Sequence, residues 1–404
     1  MDLFRSVDNF EKTYFRMPKF AFQFIQQWPV DGGAVLTKTS ITVITFYWCT
    51  NILLIYGGLK YSIEVMSTDL GGALEALCPG ITIMTTLIKL IYFFGYRKDF
   101  AEMVISLRKH LQEDVNSGDV AKSRIITNFS SKSLKYTVTL FCFAFWTNGF
   151  YAISPIVTYL GHIYINNHIV RQLFSLPYLD WNEISKTFLY KVIYLTTFLS
   201  GNSTIFGFSA IDGAFMCFCL YLSAALQSIQ KDFKEAFGKY DVDCKFIFKS
   251  DKNEELYAEL SRLLQRQSYL VIMSKNLGQF YAPIILVHFL FSALSIGVSS
   301  ILLTAQGFDK AIYVAYDLGV STQLFIYCSG AEYLYENTAS FADICYACPW
   351  YKCNKRVRSL IQLSITGAQR GCPMEVPFFN PSLQVFQAII RTAGSYITLL
   401  QTVV

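Results

Sequence analysis

Apolar residues fall along this chain in long blocks, and charged residues are crowded into the gaps between them. Residues 39–59, 136–170 and 276–308 contain no Asp, Glu, Lys or Arg; residues 76–96 contain only Lys89, residues 192–230 only Asp212 and residues 311–331 only Asp317. A helix rises 1.5 Å per residue and needs roughly 20 mostly apolar residues to cross a bilayer core, so each block is long enough for one crossing. A surface helix of a soluble protein keeps a charged face, and these blocks have none. A seventh block ends the chain. There Asn380-Pro381 predicts an N-cap followed by proline at the first helical position, and from Leu383 to Val404 the single charge is Arg391.

The gaps are patterned too. After the fourth block, LQSIQKDFKEAFGKY continues the helix into water, and DVDCKFIFKSDKNEE reads as a polar turn region. Tyr257, Leu260, Leu263 and Leu264 then recur at helical spacing and lead into the fifth block. Residues 352–370 are basic and amphipathic, with Leu360, Ile361, Leu363 and Ile365 as their apolar residues. Packed on the extensions of the fourth, fifth and sixth helices, this segment would complete a helical bundle outside the membrane. Pro155 is expected to end the third helix, which leaves YLGHIYINNHIV as an outer loop.

Composition agrees with this reading. Charged residues make up 16% of the chain, against about 25% in a typical soluble domain, aromatics are a further 16%, and the mean hydropathy is +0.35. No cleavable leader is expected, because residues 1–20 are charged and mixed. Most of the 34 Lys and Arg lie before the first block and after the second, fourth and sixth. Basic residues prefer cytoplasmic loops, so the N-terminus is expected inside and, after seven crossings, the C-terminus outside. The net charge of +5 reflects these loops, and no basic groove interleaved with stacking aromatics points to nucleic acid.

Candidate chemistry is sparse. There is no nucleophile–base pairing and no phosphate loop, so no catalytic residues and no cofactor are expected. Cys345, Cys348 and Cys353 lack a nearby histidine, so no metal site is expected either. Asp212 and Asp317 are expected as intramembrane acids, read first as bonded structural groups inside the bundle, with an ion path or a ligand contact as the alternative. In the last block, Thr392, Ser395, Leu399 and Val403 share one stripe at 100° per residue, opposite Phe386, Ile390, Gly394 and Ile397. Lipid does not ask for Thr and Ser. A water-filled seam closed by rings of Leu and Val does, and so does packing against neighbouring helices; the pattern leaves both open.

From about residue 328 onward the residues resemble the C-terminal third of insect odorant receptors. The matching features are Gly330, Glu336, Ala342, Tyr346, Trp350-Tyr351, the basic helix ending in Gln369-Arg370, and then Phe378, Leu383, Phe386, Thr392, Ser395 and Tyr396. Asn337 departs from the serine usual after that glutamate. The resemblance implies an all-α polytopic membrane protein with seven transmembrane helices, the N-terminus inside and the C-terminus outside. It implies a cytoplasmic N-terminus over 1–38, and six helices with an outer ligand pocket over 39–345. It further implies a cytoplasmic anchor helix over 346–376 and a pore-lining seventh helix over 377–404.

Function follows from the same resemblance. It implies a subunit of a heterotetrameric, ligand-gated, non-selective cation channel, partnered by an odorant co-receptor and by membrane lipid. Leu399 and Val403 then match the gate, with Thr392 and Ser395 along the pore. The co-receptor has a longer second cytoplasmic loop and ends in Lys, traits absent here, so an odour-tuning subunit is expected. Gustatory relatives end in a Thr-Tyr…Gln-Phe pattern that Ser395-Tyr396 and Gln401-Thr402 break. A metabotropic seven-helix receptor would require the opposite orientation, and a secondary transporter would require internal symmetry. The ligand is expected to be a small volatile hydrophobic molecule in a closed, aromatic-lined pocket among spans two to five. The candidates are Phe143, Trp146, Phe150 and Tyr151 on span three, Phe198, Asn202 and Phe206 on span four, and Phe289, Phe291 and Leu294 on span five.

Overall fold

The computed structural model describes residues 14–29, 37–165, 188–239, 250–303 and 308–403. Ten α-helices follow one another among them: α1 Arg16–Phe24, α2 Lys38–Val65, α3 Leu70–Gly95, α4 Arg97–Asn116, α5 Val120–Ile165, α6 Phe188–Lys239, α7 Ser250–Leu302, α8 Phe308–Ala347, α9 Lys355–Ala368 and α10 Leu383–Val403. Sequence places helix starts where a side chain can satisfy an orphan amide. Thr37 caps α2 through the Ser40 amide at 3.2 Å, Asp69 caps α3 through Gly72 at 3.0 Å, and Asn354 caps α9 through Val357 at 2.9 Å.

By length and composition, α2, α3, Leu195–Lys239 of α6 and Glu254–Leu302 of α7 can each cross a membrane. α10 is more polar, carrying Gln384, Gln387, Arg391 and Gln401. The apolar window of α6 is 100% buried, against 33% in α2 and 44% in α3 and α7. α6 is therefore the mast of the bundle, and the other three show lipid or neighbours their outer faces. α2 and α3 form an antiparallel hairpin in which a Cβ on Gly58 would stand 3.3 Å from the Ala76 carbonyl, a small-residue approach common between membrane helices. Short α1 folds back onto α6. Its Phe22 stacks on Phe93 at 4.5 Å, Phe93 meets Phe100 at 4.8 Å, and Phe100 meets Phe218 at 5.4 Å.

Three expectations about local structure are corrected. α5 runs through Pro155 to Ile165; a proline among apolar packed helices need not end its helix. The region after Ile165, and the polar turn at 240–249, lie outside the described residues. The cap of α10 is Ser382, whose Oγ accepts from the Val385 amide at 3.3 Å, rather than Asn380. The Leu383 amide instead donates to Glu332 of α8 at 3.2 Å. In α9, Ile361 and Val357 are buried and Leu360 and Ile365 pack against the core, whereas Leu363 is 72% exposed. α9 packs on α8 and α7, and Arg356 pairs with Glu254 at 3.0 Å while lying over the Tyr257 ring.

Candidate functional site

A cavity of about 160 Å³ opens between α2, α3, α5, α6 and α8. Small residues make the room. Gly80 of α3, Gly201 of α6 and Gly319 of α8 line it, with Ala144 of α5 and Gly58 of α2. A Cβ on Gly80 would meet nothing within 4 Å, and one on Gly319 would make ordinary contact with Thr147 at 3.5 Å. On Gly201 it would collide with Asn148 Oδ1 at 2.7 Å. Glycine there lets a polar side chain of α5 lie flat against α6.

The wall is mostly apolar, with Leu54, Ile83, Ile205, Phe208 and Val320 prominent. Its polar groups are held in place by the helices. Tyr316 is buried and its hydroxyl shares a 2.7 Å hydrogen bond with Thr82, donates to the Cys78 carbonyl at 2.8 Å and reaches Ser295 at 3.2 Å. Thr147 donates to Phe143 O at 2.9 Å and Ala315 O at 3.2 Å. A mostly apolar hollow with a few fixed polar groups suits a small, weakly polar guest.

Among the sequence-derived pocket residues with described side chains, Phe198 lines this cavity. Phe143 is half-buried one residue away from Ala144, and Trp146 is 65% exposed. Asn202 is buried and its amide donates to Phe198 O at 2.8 Å, within its own helix. Phe206 is buried against Phe24 of α1 at 3.8 Å. Phe289 is buried and packs on Phe379 at 4.6 Å, Phe291 is half-buried, and Leu294 is 52% exposed. The side chains of Phe150 and Tyr151 lie outside the described set. Among the described residues α7 lines none of the cavity, whereas α8, outside the expected spans two to five, supplies Tyr316, Gly319, Val320 and Gln323. Glycines within apolar blocks, at a shared depth, were the signal available for this.

At the other end, α10 packs Val385, Phe386, Ile389 and Ala393 onto the core, and Phe386 meets Phe325 of α8 edge-on at 5.5 Å. Thr392 and Ser395 are exposed in the single chain, and their hydroxyls donate to Ala388 O at 2.8 Å and Arg391 O at 3.0 Å. Ile390 and Gly394 are also exposed. Leu399 and Val403 lie on the same helix, with side chains outside the described set. Both acids of the apolar blocks are bonded. Asp317 accepts from Ser299, and Asp212 takes Lys89 and Tyr327 as partners.

A family model described as 7tm Odorant receptor matches residues 69–394. Odorant receptor 22c of Drosophila melanogaster is 30% identical over 401 residues, covering 96% of each chain. The solved structure of the insect olfactory receptor OR5 from Machilis hrabei superposes with a TM-score of 0.76, covering 97% of this chain and 98% of that one at 14% identity. The structure of the same receptor in complex with eugenol superposes with a TM-score of 0.68, covering 97% and 100% at 14% identity.

Proposed function

The chain belongs to the odorant receptor family, a family of receptors and not of enzymes, and from that premise we propose that it is the odour-tuning subunit of a ligand-gated cation channel. It assembles with the odorant co-receptor as a heterotetramer in the plasma membrane of sensory neurons. It crosses the membrane seven times, with its N-terminus inside and its C-terminus outside. A small volatile organic ligand opens it. α10 lines the pore through Thr392 and Ser395, and Leu399 and Val403 close it.

The cavity carries this reading. It sits inside a bundle whose shape matches an olfactory receptor solved with the small aromatic eugenol. Its wall is mostly apolar, and three of its polar groups, Tyr316, Thr82 and Thr147, are pre-bonded and so pay little reorganisation when a guest arrives. The exposed hydroxyl-bearing side of α10 supports the pore assignment, because a helix in lipid alone gains nothing from it. The gustatory branch is disfavoured by the full-length match to Odorant receptor 22c.

The test is current recorded from cells expressing the chain with and without the co-receptor, against an odour panel. Odour-evoked cation current is expected only with both. Gly80→Leu should fill the cavity from a wall position that has space, raising the half-maximal odour concentration by about tenfold or more, equivalent to roughly 1.4 kcal/mol of lost affinity, at unchanged surface level. A dose–response curve that ignores Gly80→Leu would remove this cavity from consideration.

A further inference from the structure

The cavity and α10 share no residue, so occupancy must reach α10 through a helix that touches both. α8 does. Its residues Tyr316, Gly319, Val320 and Gln323 line the cavity, Phe325 packs on Phe386 of α10, and Glu332 accepts from the first amide of α10. Between the cavity segment and the Glu332 contact stands Tyr327. It belongs to a buried polar cluster drawn from three of the cavity's own helices. Lys89 of α3 donates to both oxygens of Asp212 of α6, at 2.8 and 3.0 Å. Tyr327 donates to the same carboxylate, and the Lys89 ammonium lies 5.2 Å over the Tyr327 ring. Lys89, Asp212 and Tyr327 are each at most 1% exposed. From α7, His288 sets its ring 5.1 Å from that of Tyr327.

The cluster is placed just past the cavity. Lys89 is six residues beyond Ile83, Asp212 four beyond Phe208, and Tyr327 four beyond Gln323, which is about 6–9 Å along each axis. A buried ion pair adds little or no stability compared with apolar residues of the same volume. What it does add is discrimination. Its bonds are all made in one relative placement of the three helices, and a slide of α8 strips the carboxylate of a donor in a medium without water.

We propose that Lys89, Asp212 and Tyr327 form a positioning lock that holds α8 in its resting register against α3 and α6. A guest in the cavity opens the pore by displacing α8 against this lock. The proposal rests on the reading of the cavity as the odour site and of α10 as the pore wall.

Two variants of the full chain, each co-expressed with the co-receptor, test it. Tyr327→Phe keeps the ring and the ion pair and removes only the hydroxyl donor. The double variant Lys89→Met, Asp212→Leu removes both charges and keeps the volume. Tyr221→Phe is the control: it deletes a buried hydroxyl of α6 that bonds Tyr14 O at 2.5 Å, outside the lock. Resting current without odour, normalised to surface-labelled protein, is expected to rise about tenfold in the first two and stay unchanged in Tyr221→Phe. Equal effects in all three, or none in Tyr327→Phe, would overturn the lock. Hydrogen exchange of residues 383–403 in the purified complex judges it without any conductance. Exchange there should quicken in Tyr327→Phe and in the double variant, and unchanged exchange in both would also overturn it. A wild-type complex that passes no current would defeat the channel reading, while the exchange result would still decide the lock.

Discussion

Asn337 shows how a single position turns a departure from the family pattern into structure. Its side chain accepts from Gln227 of α6 at 2.8 Å and donates to Tyr333 O at 2.7 Å, and its carbonyl accepts from Gln230 at 2.7 Å. The amide thus rivets α8 to the mast with both ends satisfied. Asn337→Ala leaves the half-buried Gln227 amide without this partner and should lower stability by about 1–3 kcal/mol, seen as an earlier thermal transition of the detergent-solubilised receptor. Asn337→Ser, which restores the usual residue, should lose less. Leu399 is a different kind of residue, one whose effect is on water. If it closes the pore, Leu399→Ser replaces a dewetting ring with hydroxyls, and the resting current should increase several-fold at equal surface level. An unchanged resting current would take Leu399 out of the gate. Residue by residue, the sequence pointed to aromatics for the pocket because they are the large apolar groups. The cavity takes its room from Gly80, Ala144, Gly201 and Gly319, with Phe198, Phe208 and Tyr316 in its wall. Absence of a side chain leaves no period to read, and aromatics such as Trp146 turn outward.

Among the elements, the long apolar helices were legible, four of them long and apolar enough to cross a membrane among the described residues, because a bilayer tolerates few alternatives to such a helix. Their ends were not. Pro155 would stop a helix in water, yet α5 continues through it, and α10 takes Ser382 rather than Asn380 as its cap because only Ser382 reaches the Val385 amide. α1 was missed altogether as part of the bundle. Its short run of nine residues hides two fully buried positions, Phe15 beside it and Phe22 within it. Phe22→Ala should therefore cost about 3–5 kcal/mol although it lies before the first long helix. Loss of folded, monodisperse receptor on size-exclusion chromatography would register this. Retention of wild-type yield would mean that α1 is not docked.

Across the whole molecule, two kinds of charge coexist, and the geometry tells them apart. Asp114 is 1% exposed and meets Arg266 at 2.8 Å and Lys122 at 3.7 Å, while Lys122 also meets Asp232 at 2.6 Å. This network ties α4, α5, α6 and α7 together where their polar ends gather. Burial pushes the Asp114 carboxyl above its ordinary range, opposed by Arg266 and Lys122. Removing Arg266 leaves that carboxylate only the more distant Lys122, which is shared with Asp232. The Arg356–Glu254 pair, by contrast, is 59% and 57% exposed and is worth little. Arg266→Met should reduce surface delivery far more than Arg356→Met, measured by labelling intact cells. The same cells can carry an epitope after Val404, which antibody should reach without permeabilisation if the basic loops face the cytoplasm.

The glycines of the cavity wall have a consequence for how such receptors come to differ. Every glycine codon is one base from alanine and one from valine. At Gly201 and Gly58 such a change presses on the Asn148 side chain and the Ala76 carbonyl, whereas Gly80 and Gly319 are open. At those two sites a single nucleotide change subtracts a measured volume from the chamber while the mast and the ion pair beyond it stay as they were. If the cavity is the odour site, a lineage can shift its sense of smell in small steps, without first rebuilding the protein that detects it.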